Sequence, residues 1–131
     1  MNEFEEIPAE INRISGEVVD AAYKVHSQLG PGLLESVYET CLFHELTTRG
    51  LKVQRQVQLP VIYEGLSLDA ALRLDLLVED AVVVELKAAD IMHPVFEAQV
   101  LTYLKLSSRR VGLLIDFNVV TIKNGIKRLV L

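Results

Sequence analysis

Between Pro8 and Leu29 the apolar residues Ile11, Ile14, Val18, Ala22, Val25 and Leu29 recur every three or four positions, which predicts an amphipathic helix with one buried stripe. Gly30-Pro31-Gly32 ends it. The same spacing over Leu33 to Arg49 predicts a second helix with Leu34, Val37, Tyr38, Cys41, Leu42 and Leu46 turned inward, and Gly50 supplies its stop. The period then drops to two. Val53, Val57 and Leu59 alternate with Gln54, Gln56 and Gln58, giving a half-exposed strand that Pro60 interrupts and Val61 to Tyr63 resume. After a turn at Glu64-Gly65, strands are expected at Leu68 to Val78 and Ala81 to Ala88, then a third helix from Pro94 to Leu106. Strands Val111 to Phe117 and Ile126 to Leu131, with a turn at Asn124-Gly125, complete the pattern. The order α-α-β-β-β-α-β-β describes one α+β domain over residues 1–131, with α/β/α-like layering of helices on a mixed sheet and residues 1–7 frayed.

Composition narrows this picture. The 131 residues are 50% apolar and 24% charged, which fits a folded domain and excludes a disordered chain. No apolar run approaches the ~18 residues that a membrane-spanning helix needs, so no membrane partner is expected. Cys41 stands alone and the first ten residues are acidic, so no secretory leader is read there and a cytoplasmic location is expected. Thirteen Lys and Arg against eighteen Asp and Glu leave a net charge of -5, which opposes tight non-specific binding to a polyanion. Four of those acids, Glu3, Glu5, Glu6 and Glu10, lie near the N-terminus, and local patches still decide binding. Part of the apolar surplus for so small a chain is expected to line a homo-oligomer interface, such as that of a homodimer.

The candidate chemistry lies in the central hairpin, where Arg73, Asp75, Glu85 and Lys87 interrupt strands made otherwise of Leu, Val and Ala. If Val78 faces Val82, then Leu74, Leu76 and Val78 share a core face with Val82, Val84 and Leu86. The other face then carries Asp75 opposite Glu85 and Arg73 opposite Lys87, around a three-residue loop Glu79-Asp80-Ala81. A two-residue loop would mix the apolar and ionic sets. Two opposed carboxylates repel unless a cation lies between them. Salt bridges from Lys87 and Arg73 would meet that need structurally, and a divalent ion would meet it functionally. Oxygen-only donors suit Mg²⁺ or Mn²⁺ and not zinc.

Asp75 followed by Glu85-Leu86-Lys87 resembles the D…E-x-K signature of the PD-(D/E)XK nuclease superfamily, with Leu74 in place of the proline of that name. Gly32-Leu33-Leu34-Glu35-Ser36-Val37-Tyr38 resembles the motif of its GxxExxY family, and Gln99-Val100-Leu101-Thr102-Tyr103 resembles the Q-x-x-x-Y of its RecB-like branch. With Gly112 to Ile115 and Gly125 to Arg128, the resemblance runs from about Ile14 to Leu131. It implies a restriction-endonuclease-like core and a nuclease that hydrolyses DNA, or less favourably RNA, through a metal-activated water. It also implies that Asp75, Glu85 and the main-chain carbonyl of Leu86 bind Mg²⁺ or Mn²⁺, with Glu35 as a further acid. Lys87 becomes the catalytic lysine, and Gln99 and Tyr103 position substrate; Arg73, as a basic residue two positions before Asp75, is expected to position substrate with them.

Other residues read more plainly. His26, His44 and His93 have no ligand spacing, although His93 stands near enough to the third helix to approach the cleft. Cys41 reads as a core thiol, Gly32 as a turn requirement, and Tyr38 and Tyr103 as half-buried. Only Arg73, Arg109, Arg110, Lys123, Lys127 and Arg128 are on hand to hold phosphate, so a homodimer or a protein partner would strengthen binding. The rival readings are a non-catalytic module that keeps the fold for protein interaction, and a hydrolase of smaller phosphoesters.

Overall fold

The computed structural model describes residues 5–131. Helices α1 (Ala9–Leu29) and α2 (Glu35–Thr48) precede strands β1 (Val53–Tyr63), β2 (Leu66–Val78) and β3 (Val82–Lys87). Helix α3 (Pro94–Ser107), strand β4 (Val111–Asp116), a 3-10 turn (Ile122–Gly125) and strand β5 (Ile126–Val130) follow. The expected order holds, and the strand through Pro60 is continuous because a bulge between Leu59 and Val61 absorbs the missing donor. Of the segment 1–7 expected to fray, residues 1–4 lie outside the described residues. The carbonyls of Glu5 and Glu6 accept hydrogen bonds from Arg110.

The sheet order is β1-β2-β3-β4-β5, antiparallel throughout except for the parallel pair β3 and β4, which α3 connects. Helices α1 and α2 cover one face: Ile14, Val18, Ala22, Tyr38, Leu42 and Leu46 pack with Leu76, Val78, Val82, Val84 and Leu86. Helix α3 covers the other, with Val100 and Leu104 packed on Leu77, Val83 and Leu114. The layers are α/β/α, the arrangement expected of a restriction-endonuclease-like core. Gly112 sets how closely α3 approaches, since a Cβ there would stand 2.7 Å from Val100 Cγ1. The start of α2 departs from the expected stripe: Leu34 is 75% exposed and Val37 37%, because the helix begins at Glu35 and Leu34 is its N-cap.

Alternation along β1 and β2 fails at one level. Leu74 was expected beside Leu76 and Val78, yet it packs with Leu72 and Leu77 on the α3 side. On β1, Val53 packs on the α1/α2 side and Val57, Leu59 and Val61 on the α3 side. Pairing runs Arg55 to Leu76 and Val57 to Leu74, so the skipped level is Gln56 and Asp75. Gln56 has φ 51°, a left-handed conformation that breaks the pleat. Both strands slip together, the register is unchanged across the break, and Asp75 sits at the slip.

Candidate active site

The β2–β3 pairing confirms the expected register and then stops. Val78 faces Val82, Leu77 faces Val83 and Leu76 faces Val84, around a loop in which Glu79 and Asp80 both take left-handed φ values of 52° and 54°. At the next level the carboxylates replace the ladder: the Asp75 amide donates to Glu85 Oε1 (3.0 Å), and the Leu86 amide donates to Asp75 Oδ2 (2.9 Å). Each acid ties the other strand's backbone. The strands part beyond this point, so Arg73 pairs with Gln58 and Lys87 with Asp116 on β4, and the expected opposition of Arg73 and Lys87 does not occur.

A polar cleft of about 450 Å³ opens where the strands part, lined by Glu35, Gln58, Ala70, Ala71, Arg73, Asp75, Glu85, Lys87, Gln99 and Tyr103. The six non-backbone residues expected around Asp75 are thus brought to one place. Three are delivered by helices: Glu35 from the first turn of α2, and Gln99 and Tyr103 from one face of α3. Gln99 orders that face, because its Nε2 donates to the Tyr103 hydroxyl (2.9 Å) while its Oε1 accepts from Lys87 Nζ (3.4 Å). The Lys87 ammonium also lies 4.5 Å from the centroid of the Phe96 ring, a cation–π contact.

The electrostatics are unbalanced. Asp75 and Glu85 are buried, and among the described residues neither they nor Glu35 make an ion pair with Lys87 or Arg73. The salt-bridge arrangement that would make the cluster purely structural is therefore missing. Burial first, and then the charge of Asp75, push the Glu85 carboxyl up to about 8. Burial and Asp75 likewise raise the Glu35 carboxyl, and burial followed by Glu85 raises the Tyr103 hydroxyl. Among the described residues no three acid, imidazole or thiol side chains form a ready cluster, and Glu35 faces the acid pair across the cleft.

Other expected residues fall elsewhere. His93 caps α3, its Nδ1 accepting from the Val95 amide, and His26 Nε2 bonds the Val119 carbonyl at 2.8 Å. Cys41 and His44 line an apolar groove between α1 and α2 that holds no acid pair. Tyr38 is fully buried and not half-buried: its hydroxyl donates to the Gly30 carbonyl (2.6 Å), accepts from the Leu33 amide (3.1 Å), and its ring stacks on Phe117 at 4.6 Å. It secures the turn that leads to Glu35. Of the six cations expected to hold phosphate, only Arg73 lines the cleft. Arg109 pairs with Asp80, Lys127 with Glu97, Arg128 bonds Asn12, and Arg110 holds the N-terminal carbonyls.

Sequence reasoning missed Gln58, Ala70, Ala71 and Asp116. Ala70 lies in a second left-handed kink, φ 53°, that no alanine pattern announces. Asp116 is buried and its Oδ1 accepts from the Ala89 (3.1 Å) and Asn118 (2.9 Å) amides, which fixes the chain just after Lys87. An acid closing an apolar strand was the available signal.

The sequence profile of the PD-(D/E)XK nuclease superfamily matches residues 12–129. Comparisons with curated proteins and with solved structures gave no match. That profile spans both helices that frame the cleft and every strand that supplies an acid to it, and the parted β2–β3 hairpin lies at its centre, so the chain belongs to the PD-(D/E)XK nuclease superfamily.

Proposed function

We propose that this protein is a metal-dependent nuclease of the GxxExxY type, on the RecB-like branch, that hydrolyses phosphodiester bonds in DNA. The observation that carries the reading is the buried pair Asp75 and Glu85, which among the described residues make no ion pair with a cationic side chain, beside a lysine held from two sides. Members of the superfamily generally use divalent metals, and the donors here fit one: Asp75 Oδ1 and Glu85 Oε2 are the carboxylate oxygens not used to bind backbone. Mg²⁺ or Mn²⁺ would be held by Asp75, Glu85 and the Leu86 carbonyl, with Glu35 joining from α2. Bound there, such an ion supplies Lewis acidity and makes water more acidic.

The chain's own groups do the rest. Lys87 is kept from folding onto the acids by Gln99 and Phe96, so its ammonium is presented to the cleft, where it orients the attacking water and stabilises charge on the phosphoryl oxygens. Arg73 and Gln58 contact phosphate from the β1–β2 wall, and Tyr103, a poor acid in this setting, donates its hydroxyl hydrogen without ionising. With four of the other cations engaged elsewhere, affinity for nucleic acid is low, and a second copy or a protein partner would supply it.

Calorimetric titration with Mn²⁺ tests the site. Wild type binds and Asp75→Ala does not; Lys87→Ala binds the ion, keeps its fold and loses cleavage of single- or double-stranded DNA by ~10²–10⁴-fold. No binding to wild type at millimolar Mn²⁺ would remove the proposal.

A further inference from the structure

The slip that aims Asp75 has a visible cause outside the cleft. Gln56, the residue opposite Asp75, is left-handed in mid-strand, a conformation that a non-glycine residue keeps only when its surroundings hold it. Among the described residues, the Gln56 side chain hydrogen-bonds to one residue. Glu39 on α2 is buried, its Oε1 accepts from the Gln56 side-chain amide, and its Oε2 accepts from Arg55 Nη2 (3.0 Å) and Nε (3.3 Å). Arg55 is steadied in turn by Thr40 Oγ1 (3.0 Å) and by the Phe43 ring 5.0 Å beneath it. Glu39 also stands one helical turn after Glu35, on the same side of α2.

We infer that Glu39 and Gln56 form a latch that positions Asp75: by holding Gln56 left-handed, Glu39 makes both strands skip a pleat, which turns the Asp75 carboxylate into the cleft and fixes its distance from Glu35. Without the latch β1 would relax to a regular pleat, position 56 would pair with position 75, and the aspartate would lose its place beside Glu85. Glu39 and Gln56 are positioning residues and touch no substrate. The effect on cation binding rests on the function proposed above, whereas the effect on the Asp75 carboxylate does not.

The two are separated by reading both Mn²⁺ affinity and, in the metal-free protein, the amide NMR shifts of Asp75 and Leu86, whose N–H groups bond the two carboxylates. Gln56→Val favours the regular strand, so it is expected to stay folded with unchanged or higher melting temperature, to lose both amide shifts, and to weaken Mn²⁺ binding at least ~10-fold. A merely structural tie would lose stability and binding together. Glu39→Leu, which has no acceptor for the Gln56 side-chain amide, weakens binding by ~10-fold in the wild-type background but by less than ~3-fold on top of Gln56→Gly, since glycine needs no latch to stay left-handed. That cycle carries the test if Gln56→Val fails to fold. Equal penalties in both backgrounds, or folded variants with wild-type amide shifts and affinity, would overturn the latch. If wild type itself binds no Mn²⁺, the metal reading falls, and the amide shifts still decide whether the latch exists.

Discussion

The two ends of the β2–β3 hairpin use the same strands for opposite purposes. At the turn end, Leu76 to Val78 and Val82 to Val84 pair through their backbones and are buried on both faces, against α1 and α2 on one side and α3 on the other. At the open end the ladder bonds are handed to two carboxylates, and burial costs free energy because among the described residues neither makes an ion pair with a cation. One end stabilises the fold, and the other spends part of that stability to keep two acids close. Mutations at the two ends should therefore pull stability and chemistry in different directions.

The largest effect is expected from the turn end. Leu77→Ala removes a side chain 3% exposed between Val83 and α3, and should destabilise by ~2–5 kcal/mol, read as a lower urea midpoint. The surviving folded molecules should bind Mn²⁺ within about twofold of wild type. Asp75→Asn should do the reverse: the amide oxygen still accepts from Leu86, repulsion with Glu85 disappears, stability holds or rises, and Mn²⁺ binding is lost. Parallel losses of stability and affinity in both variants would erase the distinction between the ends.

A smaller effect separates the ends by pH. The Glu85 carboxyl, near 4.5 when unfolded, lies at about 8 in the metal-free fold, so between these values the folded state holds a proton that the unfolded state has released. Stability must then fall as pH rises through that window, on the order of a few kcal/mol by pH 8.5, with Glu35 adding in the same direction. Glu10 and Glu45, lowered by Arg13 and Lys24, act oppositely but at the surface, where screening reduces their weight. Urea midpoints in EDTA at pH 5 and 8.5 should show the fall. Glu85→Gln should flatten it, and millimolar Mn²⁺ should reverse it by taking the place of the proton. A pH-independent midpoint in EDTA would mean that the acids ionise without penalty.

The turn end was legible in the sequence because two independent patterns, apolar alternation and the placement of four ions, admit a single register, and Val78 does face Val82. The helices were legible to within about two residues, since their stripes and their Gly and Pro stops agree. Gathering Glu35, Asp75, Glu85, Lys87, Gln99 and Tyr103 required the family resemblance, because residues forty apart in the chain carry no mutual spacing rule. What periodicity could not yield was the slip at Gln56 and Asp75. A strand read with a strict period of two puts Leu74 with Leu76 and Val57 with Val53, and nothing in a run of glutamines marks the left-handed one. That conformation depends on Glu39, seventeen residues away on another element. The separation of Arg73 from Lys87 follows from the same event, since acids that take over the ladder bonds end the pairing on which their opposition depended.

The smallest predicted effect tests how far the open end relies on support from α2. Tyr38 has no part in the cleft, yet its hydroxyl joins the Gly30 carbonyl to the Leu33 amide and so sets where α2 begins, four residues before the helix delivers Glu39 and at the turn that delivers Glu35. Tyr38→Phe keeps the stack on Phe117 and removes only those two bonds, at a cost of ~1 kcal/mol because water can reach the vacated backbone groups in the half-exposed turn. The melting temperature should drop by a few degrees. Mn²⁺ affinity should fall by no more than ~3-fold, since Asp75 and Glu85 are held by β2 and β3 and only the approach of Glu35 is loosened. A loss as large as that of Asp75→Asn would place the ion nearer to α2 than to the hairpin, and would make Glu35 a principal ligand in place of an auxiliary one.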